Sequence, residues 1–247
     1  MYFVNLLLMV FGSEFFIVNS GFWFDFVGRG LTSTFGPAAI TTGVNWHLIV
    51  AIAGVQLLSM DFGYWLGHGA MHKSKVLWEF HKLHHSAEVM TFATEYRQHP
   101  IELIVVPCTI SLTTGTTFAL IQYWFGADVS SAGRIGYNMA IMVHLLTFHH
   151  LRHSHLNIAF TGIWGRLLHS PGHHMLHHSN NPAHFDINMG YIFSIWDWMA
   201  GTLVLPRPGQ RLELGIGPEG KQHDSVLRGF WLPFRNVWRD AMRPRLS

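Results

Sequence analysis

No charged residue and no histidine interrupts the run from Leu103 to Phe125. A bilayer core about 30 Å thick is crossed by about 20 mostly apolar helical residues. Within lipid only a helix or a closed barrel satisfies its own backbone hydrogen bonds. Three more stretches fit that limit. Tyr2 to Phe24 is interrupted by Glu14 and a Gly-Ser pair. It lacks the basic start of a cleaved signal peptide and is apolar from its first residues, so the N-terminus reads as short or incomplete. Asn45 to Gly67 begins cleanly and contains Asp61 before His68; Tyr137 to His149 is shorter and ends in histidines. Charged residues are only 12% of the 247, and 49% are hydrophobic, against about 25% charged in soluble domains. The mean hydropathy is +0.21. The expected fold class is all-α, a polytopic membrane protein with about four transmembrane helices. Disorder, a soluble repeat and a charged coiled coil are excluded. Cys108, a lone cysteine, excludes an internal disulfide and a Cys-rich metal site held by this chain alone. A net charge of +2 makes no case for nucleic acid.

Charge orients the spans. Of the 16 Lys and Arg, only Arg29 and Arg134 lie between the first and second or the third and fourth stretches. The rest fall in the 68–100 loop or from Arg152 onward, and the positive-inside rule puts both segments on the cytoplasmic face. Of the 19 histidines, all but His47 and His223 lie between His68 and His184, in or next to those segments. The expected location is therefore an integral multi-pass membrane protein with its site on the cytoplasmic side, in a bacterial inner membrane or a eukaryotic endoplasmic reticulum. Residues 1–205 form the expected catalytic domain. Residues 206–247 form a tail that opens on a Pro- and Gly-rich connection. From Pro233 to Met242 it places Phe234, Val237, Trp238 and Ala241 opposite Arg235 and Arg239, an amphipathic interfacial helix started by Pro233 or, equally, a tail docked on its own domain.

The histidines repeat a spacing. His68 and His72 are four apart, neighbours on a helix. His81, His84 and His85 spell H-x2-H-H, and His174, His177 and His178 repeat it. His149 and His153 restore the four-residue step, with His150 and His155 left open as substitutes. A mononuclear zinc site takes three or four protein ligands, so these ten imidazoles suit two ions, about five each. Imidazole donors admit iron, copper, zinc and nickel alike. Asp61 lies two helical turns before His68 and reads as an acceptor behind a ligand histidine, or as a ligand. Gly215-Ile-Gly217-Pro-Glu-Gly220 spells a dinucleotide fingerprint, but no strand precedes it and Pro218 sits inside it, so it is rejected.

In this order the boxes resemble the fatty acid hydroxylase / sterol desaturase superfamily of integral-membrane di-iron enzymes, with its H-x3-H, H-x2-H-H and (H/Q)-x2-H-H. Asp61 to His68 is similar to the family's D-x6-H, and His99-Pro100-Ile-Glu102 to its H-P-x-E. Asn188-Met-Gly190, Trp196-Asp197 and Gly201-Thr202 are similar to its closing N-x-G…W-D-x3-G-T. The likeness runs from about Asp61 to Leu205. It departs at His153-Ser-His155, where many bacterial members read H-S-N. The resemblance implies four transmembrane helices and a cytoplasmic helical cap enclosing a histidine-rich di-metal site. Asp61, His99, His150, His155, His173, Asn188 and Asp197 join the ten histidines as residues that bind or support the metals.

The resemblance further implies two iron ions (Fe2+), O2 as cosubstrate, and electrons from an external donor. The expected function is a lipid oxygenase that hydroxylates a C–H bond of a fatty acyl chain or sterol-like lipid; a lipid desaturase is the alternative within the family. A multi-pass divalent-metal transporter would carry ionisable ligands at the bilayer midplane instead, and a bis-histidine haem carrier has no use for tandem His-His pairs. The expected partners are the lipid, the membrane and a donor resembling cytochrome b5, a ferredoxin or a reductase. Lys73, Lys75, Lys82 and Arg97 are candidates for steering an acidic donor. Tyr64, Trp65, Trp78 and Phe80 are candidate pocket walls.

Overall fold

A computed structural model describes residues 19–38 and 45–243. In chain order the helices are α1 (Ser20–Phe35), α2 (Trp46–Lys73), α3 (Lys75–His85), α4 (Glu102–Phe125), α5 (Ala127–Thr147), α6 (His149–Arg152), α7 (Gly162–Leu167), α8 (Pro171–His177), α9 (Ile195–Ala200) and α10 (Val226–Met242). Among the described residues there is no strand, only the isolated bridges Leu168 to Phe193 and Ser179 to Leu214. The described chain forms two compact units that interleave in sequence. One takes residues 19–38, 45–67 and 106–150; the other takes 68–105 and 151–243.

In the first unit α2 and α4 are long and apolar enough to cross a membrane. They meet along small residues. Ser59, Gly63 and Gly67 recur every fourth position on α2, as Thr109, Thr113 and Thr117 do on α4. A Cβ at Gly63 would overlap Thr113 Oγ1 and stand 2.7 Å from the Ile110 Cα. Ser59 Oγ lies 2.8 Å from Thr117 Oγ1. Small residues at this spacing let helix backbones approach closely where lipid offers no hydrophobic drive. Ile52, Ile121 and Val129 form a buried cluster beside them.

Four spans are not what the described residues display. Most of Tyr2–Phe24 lies outside them, and α1 begins at Ser20, capped by Asn19, whose side chain accepts the Phe22 N–H at 3.1 Å. The stretch expected from Tyr137 belongs to α5, which starts at Ala127 directly after the turn at Gly126 (φ 87°). Asp128, Ser130 and Arg134 dilute its first half, because helix propagation follows the backbone and not the hydropathy of the side chains.

In the second unit α3 starts at a Ser74 cap, and its buried side chains include Glu79, Phe80, His81, Leu83, His84 and His85. The terminal helix corrects the expected boundary. It begins at Val226, where Ser225 Oγ accepts the Arg228 N–H at 3.1 Å, and Pro233 lies inside it. Proline removes one helical N–H there, but packing holds the helix on either side. Phe234 meets Phe80 with ring centroids 5.1 Å apart. Asn236 Nδ2 donates to Glu79 Oε2 at 2.8 Å.

Candidate metal centre

Three helix ends of the second unit, with His153 just past α6, deliver the histidines. The last turns of α2 carry His68 and His72, α3 carries its triplet, and α8 with its C-cap carries His174, His177 and His178. They gather into two groups whose donor atoms lie within 4.8 Å of one another: His68, His72, His81, His85 and His177, and then His84, His153, His174 and His178. The H-x2-H-H spelling splits between them. His81 and His85 share one face of α3 and turn to the first group; His84, a turn away, faces the second. In α8 and its cap, His177 joins the first group while His174 and His178 join the second.

Five of the nine rings are aimed from behind. His68 Nδ1 lies 2.9 Å from the Met189 carbonyl and His177 Nδ1 lies 2.7 Å from the Ile187 carbonyl. A carbonyl only accepts, so each Nδ1 carries the proton and Nε2 is left as a lone pair. His81 Nδ1 sits 2.9 Å from Glu102 Oε2, His153 Nδ1 2.6 Å from Glu95 Oε2, and His72 Nδ1 3.6 Å from Asp186 Oδ1. In the second group the Nε2 atoms crowd together: His153 to His174 at 2.8 Å, His153 to His84 at 3.2 Å, His174 to His178 at 3.0 Å. In the first, Nε2 of His72, His81, His85 and His177 is buried with no hydrogen-bond partner among the described residues. Unpartnered buried nitrogens carry a desolvation cost of about 1–3 kcal/mol each. A cation at the middle of each group removes it, so the donor set fits two metal ions.

Electrostatics keep the rings ready. Burial holds His84, His85, His174, His177 and His178 well below the ordinary histidine range, and pushes His81 down to about 3 with Arg152 and His153 adding to it. Arg152 is itself buried; its guanidinium donates to the Gly190 carbonyl at 3.5 Å and lies over the Tyr191 ring. A fixed buried cation disfavours imidazolium and leaves neutral imidazole, the form a metal binds.

The other candidate residues divide. His149 stands in neither group; its ring lies 5.3 Å from that of His150. The reason is local. Helix α6 runs only from His149 to Arg152, so His153 lies past its end and the two do not share one continuous helix. His150 and His155 are also in neither group. Asp61 is fully buried on α2 in the first unit and belongs to neither. His173 caps α8, its Nδ1 2.8 Å from Ser170 Oγ. His99 accepts the Ile101 N–H at Nδ1 and has Nε2 3.2 Å from the Phe230 carbonyl.

Asn188 and Asp197 brace the loop that supplies the aiming carbonyls. Asn188 (φ 52°) accepts the Val204 N–H and donates to the Val204 carbonyl, both at 2.9 Å. Asp197 accepts the N–H groups of Met189 and Gly190 at 3.0 and 2.8 Å, and the Thr202 hydroxyl at 2.6 Å. Sequence reasoning missed the work of Glu95 and Glu102. Glu102 entered only as the acid of the H-P-x-E likeness, and Glu95 carried no motif of its own. Lys73, Lys82 and Arg97 hold internal partners: Asp186, then Glu79 with Glu219, then Ser86 with the Leu83 carbonyl. Trp78 lies beside His72 and His85, with ring centroids 5.1 and 5.4 Å away, whereas Phe80 packs on α10.

A family model described as fatty acid hydroxylase matches residues 53–202, and the chain belongs to that family. Among curated relatives, the alkylglycerol monooxygenase of Caenorhabditis elegans is 27% identical over 74% of this chain and 32% of its own length. That of Xenopus tropicalis is 30% identical over 61% of this chain and 30% of its own length. The ornithine lipid hydroxylase OlsE of Rhizobium tropici is 28% identical over 79% of this chain and 54% of its own. The chain thus spans about a third of the monooxygenases and about half of the hydroxylase. No solved structure gives a significant match.

Proposed function

We propose that the protein is a membrane-bound, O2-dependent lipid hydroxylase with two iron ions. One observation carries the reading: nine imidazoles, eight of them on buried residues, gather as five and four, in a chain whose family and relatives are lipid hydroxylases and monooxygenases. His68, His72, His81, His85 and His177 would hold one ion and His84, His153, His174 and His178 the other. When bound, the irons supply activation of O2 for insertion into an unactivated C–H bond. The balance is R–H + O2 + 2 electrons + 2 protons giving R–OH + H2O, the electrons coming from an external donor of cytochrome b5, ferredoxin or reductase type. The protein's part is to aim each Nε2, to keep the rings neutral and to exclude water from the centre. The relatives' printed names favour hydroxylation over desaturation. The site on the cytoplasmic face of a multi-pass protein, with α10 at the interface, completes the proposal.

The test is metal analysis with lipid mass spectrometry. Purified protein should hold about two non-haem irons per chain without a Soret band. Expressing cells should gain a lipid heavier by one oxygen. Loss of two hydrogens instead would mark a desaturase, and a sample devoid of transition metal would end the reading.

A further inference from the structure

The Gly215–Gly220 segment, rejected as a nucleotide motif, has a place in the fold. Leu214 bridges Ser179, Asn180 N–H donates to the Glu213 carbonyl at 2.9 Å, and Gly215 N–H donates to the His178 carbonyl at 3.2 Å. The segment is therefore clamped along the end of α8. Gly215 (φ 100°) and Gly217 (φ 66°) take backbone shapes that favour glycine. Against it opens a cavity of about 430 Å³ whose inner wall is His72, His85 and His177 of the five-histidine group. Trp78, Phe185 and Ile216 give it apolar sides; Asn180, Asp186 and Glu219 give it hydrogen-bond acceptors. No lysine or arginine lines it among the described residues. Lys73 takes Asp186 Oδ2 and Lys82 takes Glu219 Oε1, which leaves one carboxylate oxygen of each free of its lysine. The acceptors stand close to the centre, since Asp186 Oδ1 is 3.6 Å from the Nδ1 of His72.

We propose that this cavity receives the polar head of the lipid, a head rich in hydrogen-bond donors such as hydroxyls or an amine, so that oxygen enters a carbon a few bonds from that head. The proposal rests on the hydroxylase reading and deepens it. Asp186 stands one imidazole ring from the five-histidine group, so a head held there brings the carbons next to it nearer that group than the far end of the chain. A carboxylate head, an acceptor alone, meets acceptors and is disfavoured.

The experiment uses the full chain in detergent, loaded with zinc so that no turnover occurs, and tritiated 1-O-hexadecylglycerol as probe. Wild type should bind it, and palmitate should compete about tenfold less well than unlabelled hexadecylglycerol, the worth of one hydrogen bond to a charged acceptor. Ile216→Trp, which fills the cavity, should weaken binding about tenfold. Glu219→Gln should weaken it several-fold with zinc content unchanged. It decides the matter if the tryptophan variant fails to fold. Equal competition by palmitate, or wild-type binding in Glu219→Gln, overturns the proposal. A second arm locates the new oxygen by fragmentation of the iron enzyme's product: near the head supports the proposal, the far half of the chain overturns it. The two readings fail separately. Cavity-dependent binding without oxygenated product removes the hydroxylase; product formation indifferent to both variants removes the cavity.

Discussion

His153 stands between two partners, with Nδ1 2.6 Å from Glu95 Oε2 and Nε2 2.8 Å from His174 Nε2. Its counterpart in the other group is His81, with Glu102 Oε2 2.9 Å behind it. Each group thus has a candidate ligand histidine backed by a carboxylate, half-buried at Glu95 and buried at Glu102. Such a carboxylate fixes the ring and raises its basicity, and its loss costs about 10–100-fold in metal affinity. Glu95→Gln should deplete the four-histidine group and Glu102→Gln the five-histidine group. After dialysis against a weak chelator, each variant should keep about one iron. Two irons retained in both would show that the carboxylates do not support the ions.

The His149–His153 pair separates cleanly. His153→Ala should lose metal, while His149→Ala should keep wild-type iron content, since only His153 reaches a group. Metal analysis of the two purified variants checks this, and an iron loss in His149→Ala would restore that residue as a ligand.

Asp197 acts through the backbone. Asp197→Ala leaves the buried N–H groups of Met189 and Gly190 without their acceptor, at a cost of about 3 kcal/mol. It also loosens the Met189 carbonyl that aims His68. Thermal unfolding should show a clearly lower Tm, and metal affinity should fall with it. An unchanged Tm would contradict the bracing role.

The contact between α2 and α4 depends on absent side chains. Gly63→Leu should prevent a stable fold, because its Cβ alone already overlaps Thr113. Gly54→Ala on the same helix meets nothing within 4 Å and should be neutral or stabilising by up to about 1 kcal/mol. Size-exclusion profiles in detergent distinguish the two.

Acid should destabilise the metal-free protein in a defined window. The buried rings titrate well below 6.5, His81 at about 3. Between those limits the unfolded chain binds protons that the folded chain refuses, so stability rises with pH there and is flat above the ordinary histidine value. Each such ring contributes about 1.4 kcal/mol per pH unit. In EDTA the Tm should be level from pH 8 to about 7 and drop steeply by about pH 5. A flat Tm down to that point would mean the rings are not buried as neutral imidazoles.

By itself the sequence determined that the chain is helical, that α2 and α4 are apolar enough to cross a bilayer, and that two H-x2-H-H triplets and the His68–His72 pair repeat a candidate metal-binding spacing, because periodicity and composition are local properties. It also carried the family. The tertiary structure decided how the imidazoles divide into five and four, and which residues stand behind them. The backing of His153 by Glu95, the backing of His81 by Glu102, and the bracing of the 186–190 loop by Asn188 and Asp197 join residues far apart in the chain, and no helical spacing encodes such pairs. The same holds for His149. Its four-residue distance from His153 promised a shared face, but α6 ends at Arg152, before His153, and where a helix ends is settled only once the chain is folded.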